Sequence, residues 1–408
     1  MADWAVVADD FTGAMDTGLQ FAKNGLMTIF DLGGRAVPPG TRALVLTTDS
    51  RAAGPDQARE AARIAGERAA GLAQRLYKKV DSTLRGNIGP ELEGMLEGCD
   101  AKAAVLAPAY PAQGRTTVGG VQYLRGVRVG RTELARSPQT PVKDDDVVRL
   151  VQSATSLKVG AVALSAVREG AHSLARRLEG WVGGGARVIV ADAETADDLA
   201  AIAAAIELAG LGRLAAGSAG LAEHLARPSG AFTERRIGDP HLPVAVLAGS
   251  FSEVTHEQVE FAAASLGAEI YRPRPDQMES FSEAIEASVE SLKSNGLWIA
   301  HLGGLREQVG DRLFLARLTA WLGEVTAGIS GRLDRFGLVL TGGETASICL
   351  RRLRAVGVEI VAEVQAGVAG GIVCGGDRDG MAVVTKAGAF GTEDTLLAAI
   401  NWLRPPSV

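Results

Sequence analysis

The run Lys78-Lys79-Val80-Asp81-Ser82-Thr83-Leu84-Arg85-Gly86-Asn87 offers two lysines, a carboxylate, two hydroxyls, an arginine and an amide. That mixture suits a small, oxygen-rich anion: Arg85 can fork onto a carboxylate or phosphate, and Ser82, Thr83 and Asn87 can bond hydroxyls. An ordinary helix cap with solvated charges around it needs one such residue, and this turn holds seven. A second group is Asp9-Asp10, followed by Phe11-Thr12-Gly13-Ala14. Two adjacent aspartates cannot both cap one helix, and neighbouring carboxylates push each other's pKa apart. One of them is therefore a candidate base or Mg²⁺ ligand; the competing reading is a cap beside a solvated acid. Thr48-Asp49-Ser50-Arg51 adds another arginine. In Pro108 to Gly120, two prolines and three glycines predict a loop that leaves Tyr110, Gln113, Arg115 and Thr116 available to a site. The C-terminal half is chemically different. Gly249-Ser250-Phe251-Ser252, Gly342-Gly343-Glu344-Thr345 and Gly388 to Gly391 put glycines at helix starts or strand ends, where backbone N–H groups and the helix dipole favour phosphate.

Each polar group follows a short apolar run and precedes a helical pattern. Strands are expected at Trp4–Ala8, Ala43–Thr47, up to Val80, Ala103–Ala107, Val188–Ala191, Val244–Ala248, Leu297–Ala300, Phe336–Thr341 and Met381–Lys386. Helices are expected after Asp10, up to about Ala73, from Ile88 and over Ser347–Arg354. This alternation predicts an α/β protein with mostly parallel sheets and puts the polar turns at a carboxyl edge, where open α/β folds bind ligands. Periodicity stops across 227–243, where three prolines fall. The expected organisation is therefore a domain over 1–226, a linker over 227–243 and a domain over 244–408.

Composition excludes several classes. Of 408 residues 47% are hydrophobic, which supports large cores, and a net charge of −6 without a basic block excludes a nucleic-acid partner. Three widely separated cysteines form no disulfide framework, and five histidines without metal-ligand spacing argue against catalytic zinc. The acid run Asp144-Asp145-Asp146 reads as a helix start rather than a metal site. An acidic N-terminus, with no run near ~18 apolar residues, predicts neither export nor a membrane span, so a cytoplasmic location is expected.

Hydroxyl- and carboxylate-binding groups in the first half and glycine turns in the second predict a polar small molecule on one domain and a nucleotide on the other, meeting in an interdomain cleft. Phosphoryl transfer needs positioning and charge neutralisation, which Lys78 or Lys79, Arg85 and Mg²⁺ can supply, with an aspartate accepting the hydroxyl proton. No G-x-x-x-x-G-K-[ST] and no well-placed G-x-G-x-x-G occurs, so neither a P-loop enzyme nor a standard dehydrogenase is indicated. The rival readings are a non-catalytic sugar-acid or nucleotide sensor and a nucleotide-dependent oxidoreductase of sugar acids.

Seven stretches, Ala8–Ala14, Thr48–Arg51, Lys78–Asn87, Ala107–Thr116, Gly249–Ser252, Thr341–Ala346 and Lys386–Gly391, run through the chain in an order that resembles the four-carbon acid sugar kinases. Those enzymes phosphorylate threonate, erythronate or 3-oxo-tetronate with ATP. The resemblance implies an N-terminal sugar-acid domain and a C-terminal nucleotide domain. It puts Asp10, Arg51 and the Asp81–Arg85 turn at the substrate, and ATP near Ser252, Gly342 to Thr345 and Gly388. With the residue reading added, the expected acid site comprises Asp9, Asp10, Arg51, Asp81, Ser82, Thr83, Leu84, Arg85, Tyr110 and Arg115. The expected ATP site comprises Ser250, Ser252, Gly342, Gly343, Glu344, Thr345, Gly388 and Gly391. Glu344 stands where the family more often has aspartate. Asp10 is the first candidate base and Asp81 the second, with Lys79 beside them, and Asp81 could instead be a structural partner of Lys79. Mg²⁺ ligands are not assigned, and a homodimer is left open.

Overall fold

Runs of Val, Leu and Ala with no polar interruption can be buried on both faces, which is what the inner strands of a parallel sheet require. In the computed structural model, residues 1–33, 37–136, 140–226, 232, 234, 235, 237–308 and 312–406 are described. The chain forms two units, one of Met1–Thr28 with Gly40–Phe232 and the other of Ile29–Pro39 with Thr233–Val408. Of the expected linker, 227–231, 233 and 236 lie outside the described residues, as do 137–139 of the loop before the acid run.

With strands numbered along the whole chain, the first unit contains β1 (Ala2–Ala8), β3 (Ala43–Thr47), β4 (Ala73–Lys79), β5 (Ala104–Ala107), β9 (Val159–Val162), β10 (Val188–Ala191) and β11 (Leu214–Gly217). They lie in the order β3-β1-β4-β11-β5-β10-β9, and every pairing is parallel. Register matters most for the site. Ala8 is level with Thr47 and Lys79, and Gly217 is level with Lys79 and Ala107, so the turns after five strands leave one carboxyl edge together. Behind that edge the helices Pro55–Leu72 and Ile88–Cys99 pack closely along small residues. A Cβ on Gly94 would lie 2.1 Å from the Arg59 carbonyl and one on Gly98 2.2 Å from that of Arg63, so neither position admits a side chain.

The Pro108–Gly120 segment corrects the sequence expectation. Only its start is irregular; β6 (Arg115–Val118), β7 (Val121–Leu124) and β8 (Val127–Arg128) form a small antiparallel sheet. Gly119 and Gly120, at φ +61° and +75°, supply the two left-handed residues of a tight hairpin, so glycines read as loop markers are hairpin chemistry. The Asp192 carboxylate accepts both of their N–H groups, at 2.7 and 2.9 Å. Asp146 caps the helix Val147–Gln152 by accepting from the Arg149 N–H at 2.9 Å, as a helix-start reading of the acid run requires.

The second unit carries a mixed sheet. β12 (Val244–Ala248), β13 (Ile270–Tyr271), β14 (Leu297–His301), β15 (Gly337–Thr341) and β18 (Ala382–Lys386) run parallel in the order β13-β14-β12-β15-β18. Antiparallel β17 (Val368–Cys374) and β16 (Gly357–Gln365) continue it, and β2 (Thr28–Asp31), all but its first residue in this unit, lies next to β16. Thr341 is level with Ala248 and Lys386, so three further turns share a carboxyl edge. The helix after β15 spans Gly343–Arg352, beginning four residues before the expected Ser347. Of the glycine pair only Gly342 takes a positive φ, +95°, and Gly343 enters the helix at its first turn, where an N–H needs no intrahelical partner. Among the described residues no helix is long and apolar enough to cross a membrane.

Candidate active site

In the first unit, the β1, β3 and β4 turns interlock through charge. Arg51 donates to Asp9 through Nε (2.6 Å) and Nη2 (2.9 Å), and to Asp10 through Nη1 (2.8 Å) and Nη2 (2.7 Å). The Arg51 turn is anchored from below. Asn87 Nδ2 donates to the Ser50 carbonyl at 3.1 Å and the Ala53 carbonyl at 2.9 Å, and Ser50 Oγ donates to Glu91 at 2.7 Å. Lys78 faces the same Glu91 at 2.7 Å, and both side chains are buried. These contacts correct two expectations. Lys78 is a structural ion-pair partner, and Asn87 holds the backbone of a neighbouring turn instead of presenting its amide to a hydroxyl.

Asp81 is also held, but by Arg85 and not by Lys79. Arg85 forks onto it through Nε (2.8 Å) and Nη2 (2.9 Å), and the Thr83 hydroxyl bonds the same carboxylate. Arg85, expected to fork onto a bound anion, forks here onto an acid of this chain. Leu84 lies buried at φ +64°, a left-handed turn residue. The next residue but one, Gly86 at φ +90°, passes so close to Arg51 and Asp9 that a Cβ would stand 3.3 Å from each. Lys79 Nζ sits over the start of the helix Phe11–Lys23, 2.8 Å from where a Gly13 Cβ would be. Its charge acts on Asp9, Asp10 and Asp81 alike.

The three carboxylates titrate differently because their surroundings differ. Burial pushes Asp9 up, but Arg51 with its hydrogen bonds, then Lys78 and Lys79, outweigh it and bring the pKa below the ordinary value. Asp81 is held well below, since Arg85 and Arg51 overcome its burial. Asp10 goes the other way. Burial, reinforced by the Asp9 and Asp81 charges, exceeds the pull of Arg51 and Lys79, so its carboxyl is raised. It is also the most open of the three: the Asp10 side chain is 26% exposed against 3% for Asp9 and 9% for Asp81. One Asp10 oxygen caps the following helix, accepting from the Gly13 N–H at 3.0 Å.

Of the three arginines Arg51, Arg85 and Arg115, the last, on β6, is the one without an ion pair among the described residues. Its Nη1 bonds the Gln113 carbonyl (2.7 Å) and side chain (3.1 Å), while its Nε is buried without a hydrogen-bond partner. Burial lowers its pKa, and Arg125 and Arg85 add to that against Asp81. Tyr110 precedes it in the irregular stretch and exchanges backbone hydrogen bonds with it at 2.8 and 3.0 Å. The Ser82 carbonyl accepts from Gln122 Nε2 at 2.7 Å, so the hairpin is tied to the Asp81–Arg85 turn.

In the second unit the expected glycine turns come together. Gly388 leaves the space that Ser250 Oγ fills, since a Cβ there would lie 1.9 Å from it; Gly249 does the same for Thr345 Oγ1 at 2.0 Å. The Gly342 N–H donates to the Lys386 carbonyl at 2.9 Å, and Thr255 Oγ1 donates to the Gly388 carbonyl at 2.8 Å. Ser252 starts the helix Glu253–Leu266, its N–H donating to Ser250 Oγ at 3.2 Å. Gly343, Glu344 and Thr345 form the first turn of the helix after β15, with Glu344 exposed and Thr345 buried. Gly391, at φ +91°, turns the chain beside Thr395. These turns thus bring two helix starts and a set of small residues together at one carboxyl edge.

Sequence reasoning misses three kinds of residue. Glu91 and Gln122 support the Arg51 and Asp81–Arg85 turns from beneath, Glu91 through Ser50 and Gln122 through the Ser82 carbonyl, and a lone polar residue in a helix or strand gives no signal of that. Lys386 stands in the sequence at the end of a strand and at the head of the Lys386–Gly391 stretch, and neither gives it a role of its own. His256, Glu260 and His301 carry donor atoms within 4.8 Å of one another, a grouping hidden by the separation between helix Glu253–Leu266 and β14. Arg272 is paired with Glu260 there and opposes a cation.

Residues 4–225 match the family described as the sugar-binding N-terminal domain and 245–396 that described as the nucleotide-binding C-terminal domain. The chain is 35% identical over 426 residues to a D-threonate kinase of Salmonella typhimurium, covering 98% of this chain and 97% of that one. It is 29% identical to a D-erythronate kinase of Heliobacterium modesticaldum, with coverage of 99% and 97%. It is 30% identical to a 3-oxo-tetronate kinase of Methylobacterium radiotolerans, with coverage of 97% and 98%. A solved Salmonella typhimurium protein shares the fold at a TM-score of 0.82 and 24% identity, covering 98% of this chain and 99% of its own.

Proposed function

Since the chain belongs to the four-carbon acid sugar kinase family, we propose that it transfers the γ-phosphoryl group of ATP to a hydroxyl of a four-carbon sugar acid, with D-threonate the first to test. The observation that carries the catalytic assignment is the split between the two adjacent acids. Asp9 is buried and held low by Arg51, while Asp10 is the more exposed of the two and its pKa is raised by burial and by the Asp9 and Asp81 charges, the direction that favours accepting a proton.

In this reading Asp10 takes the proton of the attacking hydroxyl. Arg51, whose guanidinium bonds are spent on Asp9 and Asp10, positions that base and does not grip the substrate. The substrate carboxylate goes to Arg115, whose buried Nε lacks a partner, with Arg85 at its side. Ser82 and Tyr110 bond the sugar hydroxyls, Thr83 and Leu84 shape the turn, and Lys79 balances charge among the three aspartates. The first unit holds the acid and the second holds ATP along Ser250, Ser252, Gly342 to Thr345, Gly388 and Gly391. Mg²⁺ on the phosphates would be held by Glu344 and would offset the charge that builds up during transfer.

The test is ADP release with Mg-ATP against D- and L-threonate, D- and L-erythronate and their 3-oxo forms. Release with one of them is the expected result. Saturable ATP binding without release would redirect the search to other polyhydroxy acids, and absence of ATP binding would overturn the kinase reading.

A further inference from the structure

Three lysines among the described residues, Lys78, Lys79 and Lys386, are almost completely buried at or beside strand ends, and the circumstances of the first and the last are opposite. Lys78 lies 2.7 Å from the Glu91 carboxylate. Lys386, 3% exposed at the end of β18, makes one hydrogen bond, to the Gly388 carbonyl at 3.3 Å, and has no ion pair among the described residues. A desolvated ammonium with no counter-charge is unfavourable unless an anion completes it. Burial alone pushes this amine down to about 8, with no charged neighbour contributing. It therefore still carries its proton at neutral pH.

Its position says which anion. Lys386 is level with Thr341, and its carbonyl accepts the Gly342 N–H that opens the turn into the helix Gly343–Arg352. Gly388, which receives its ammonium, is the residue whose missing side chain admits Ser250 Oγ. This buried ammonium thus stands at the junction of all three glycine turns. We infer that Lys386 is the phosphate-binding lysine of the nucleotide site, holding the polyphosphate of ATP and ADP. This rests on the kinase reading and deepens it: the fold lacks a P-loop lysine, and this strand-end lysine supplies that charge from another element.

Calorimetric titration of the full chain with ATP, ADP and adenosine tests the inference, comparing wild type with Lys386→Met and Lys386→Arg. Lys386→Met should weaken ATP and ADP about 10- to 100-fold, the range for a charge-assisted hydrogen bond, and leave adenosine within about twofold. Lys386→Arg, which keeps the charge, should recover most of that loss. Without nucleotide, Lys386→Met should also melt at a higher temperature than wild type, because an uncompensated buried charge has been removed; a residue with only a structural role would do the reverse. Should the methionine variant not fold, Lys386→Gln serves with the same expectations. Unchanged ATP affinity in a folded variant, or equal losses for ATP and adenosine, overturns the inference while a wild type that binds ATP keeps the kinase reading. A folded wild type that binds neither ATP nor ADP overturns both.

Discussion

Glu91→Gln removes one charge from beneath the acid site and leaves shape almost unchanged. The Glu91 side chain is 2% exposed and that of Lys78 0%, so the substitution strands a buried ammonium without its counter-ion and weakens the bond from Ser50. Breaking one partner of a buried pair costs about 3–5 kcal/mol, which raises the opening equilibrium of that region about 10²- to 10⁴-fold. A chain of two units need not unfold in one step, so the measurement is amide hydrogen exchange in the helix Ile88–Cys99 across a urea series. The double variant Lys78→Met/Glu91→Met removes both charges and should lie within about 2 kcal/mol of wild type, since apolar replacements of buried pairs are near neutral. Because Ser50 and Asn87 hold the Arg51 turn, and Arg51 holds Asp10, the folded fraction of Glu91→Gln should also turn over more slowly. Protection within about 0.5 kcal/mol of wild type, or a double variant as unstable as the single, would mean that the buried pair does not hold this region together.

Three further outcomes follow from the geometry. Arg115→Ala should raise the KM for the sugar acid about 10- to 100-fold and leave the KM for ATP near wild type; steady-state kinetics with both substrates varied checks this, and an effect on ATP alone contradicts it. Gly249→Ala puts a Cβ 2.0 Å from Thr345 Oγ1, on a branched, buried side chain with nowhere to turn, so it should weaken ATP binding while acid binding is kept; unchanged ATP affinity by calorimetry contradicts it. Lys386 has a folded pKa of about 8 against 10.5 for an ordinary lysine, so between those values the unfolded chain binds more protons and this residue's contribution to stability rises with pH. The rise reaches about 3 kcal/mol, and the difference between wild-type and Lys386→Met denaturation curves from pH 7 to 10 should display it; parallel curves would contradict it.

The strand-turn-helix units at Asp9-Asp10, Arg51 and Asp81–Arg85 were legible because a dense polar cluster directly after a short apolar run marks the point where a buried strand surfaces, and parallel register then aligns the turns. What the sequence could not disclose was pairing. It gave no sign that Arg51 would bind two aspartates, that Arg85 would close on Asp81, or that Arg115 would be left with an unpartnered nitrogen, since each depends on distances across separate turns. Glycines misled twice: Gly119-Gly120, read as loop markers, make a hairpin turn, and Gly343, read as part of the turn before a helix starting at Ser347, itself begins that helix. The grouping of Ile29–Pro39 with the second unit lies in contacts to β16, exemplified by the Leu32 N–H on the Val356 carbonyl beside it, and no local pattern announces such contacts.

That Asp10 is the base of a sugar-acid kinase can be tested by the turnover of Asp10→Asn beside wild type, followed as ADP release with Mg-ATP and D-threonate, together with calorimetric ATP binding by both proteins. The expected loss in kcat is about 10²- to 10⁴-fold, the usual worth of a general base, with ATP affinity within about twofold of wild type. Turnover kept within tenfold, or a loss that follows weakened ATP binding, would contradict that role.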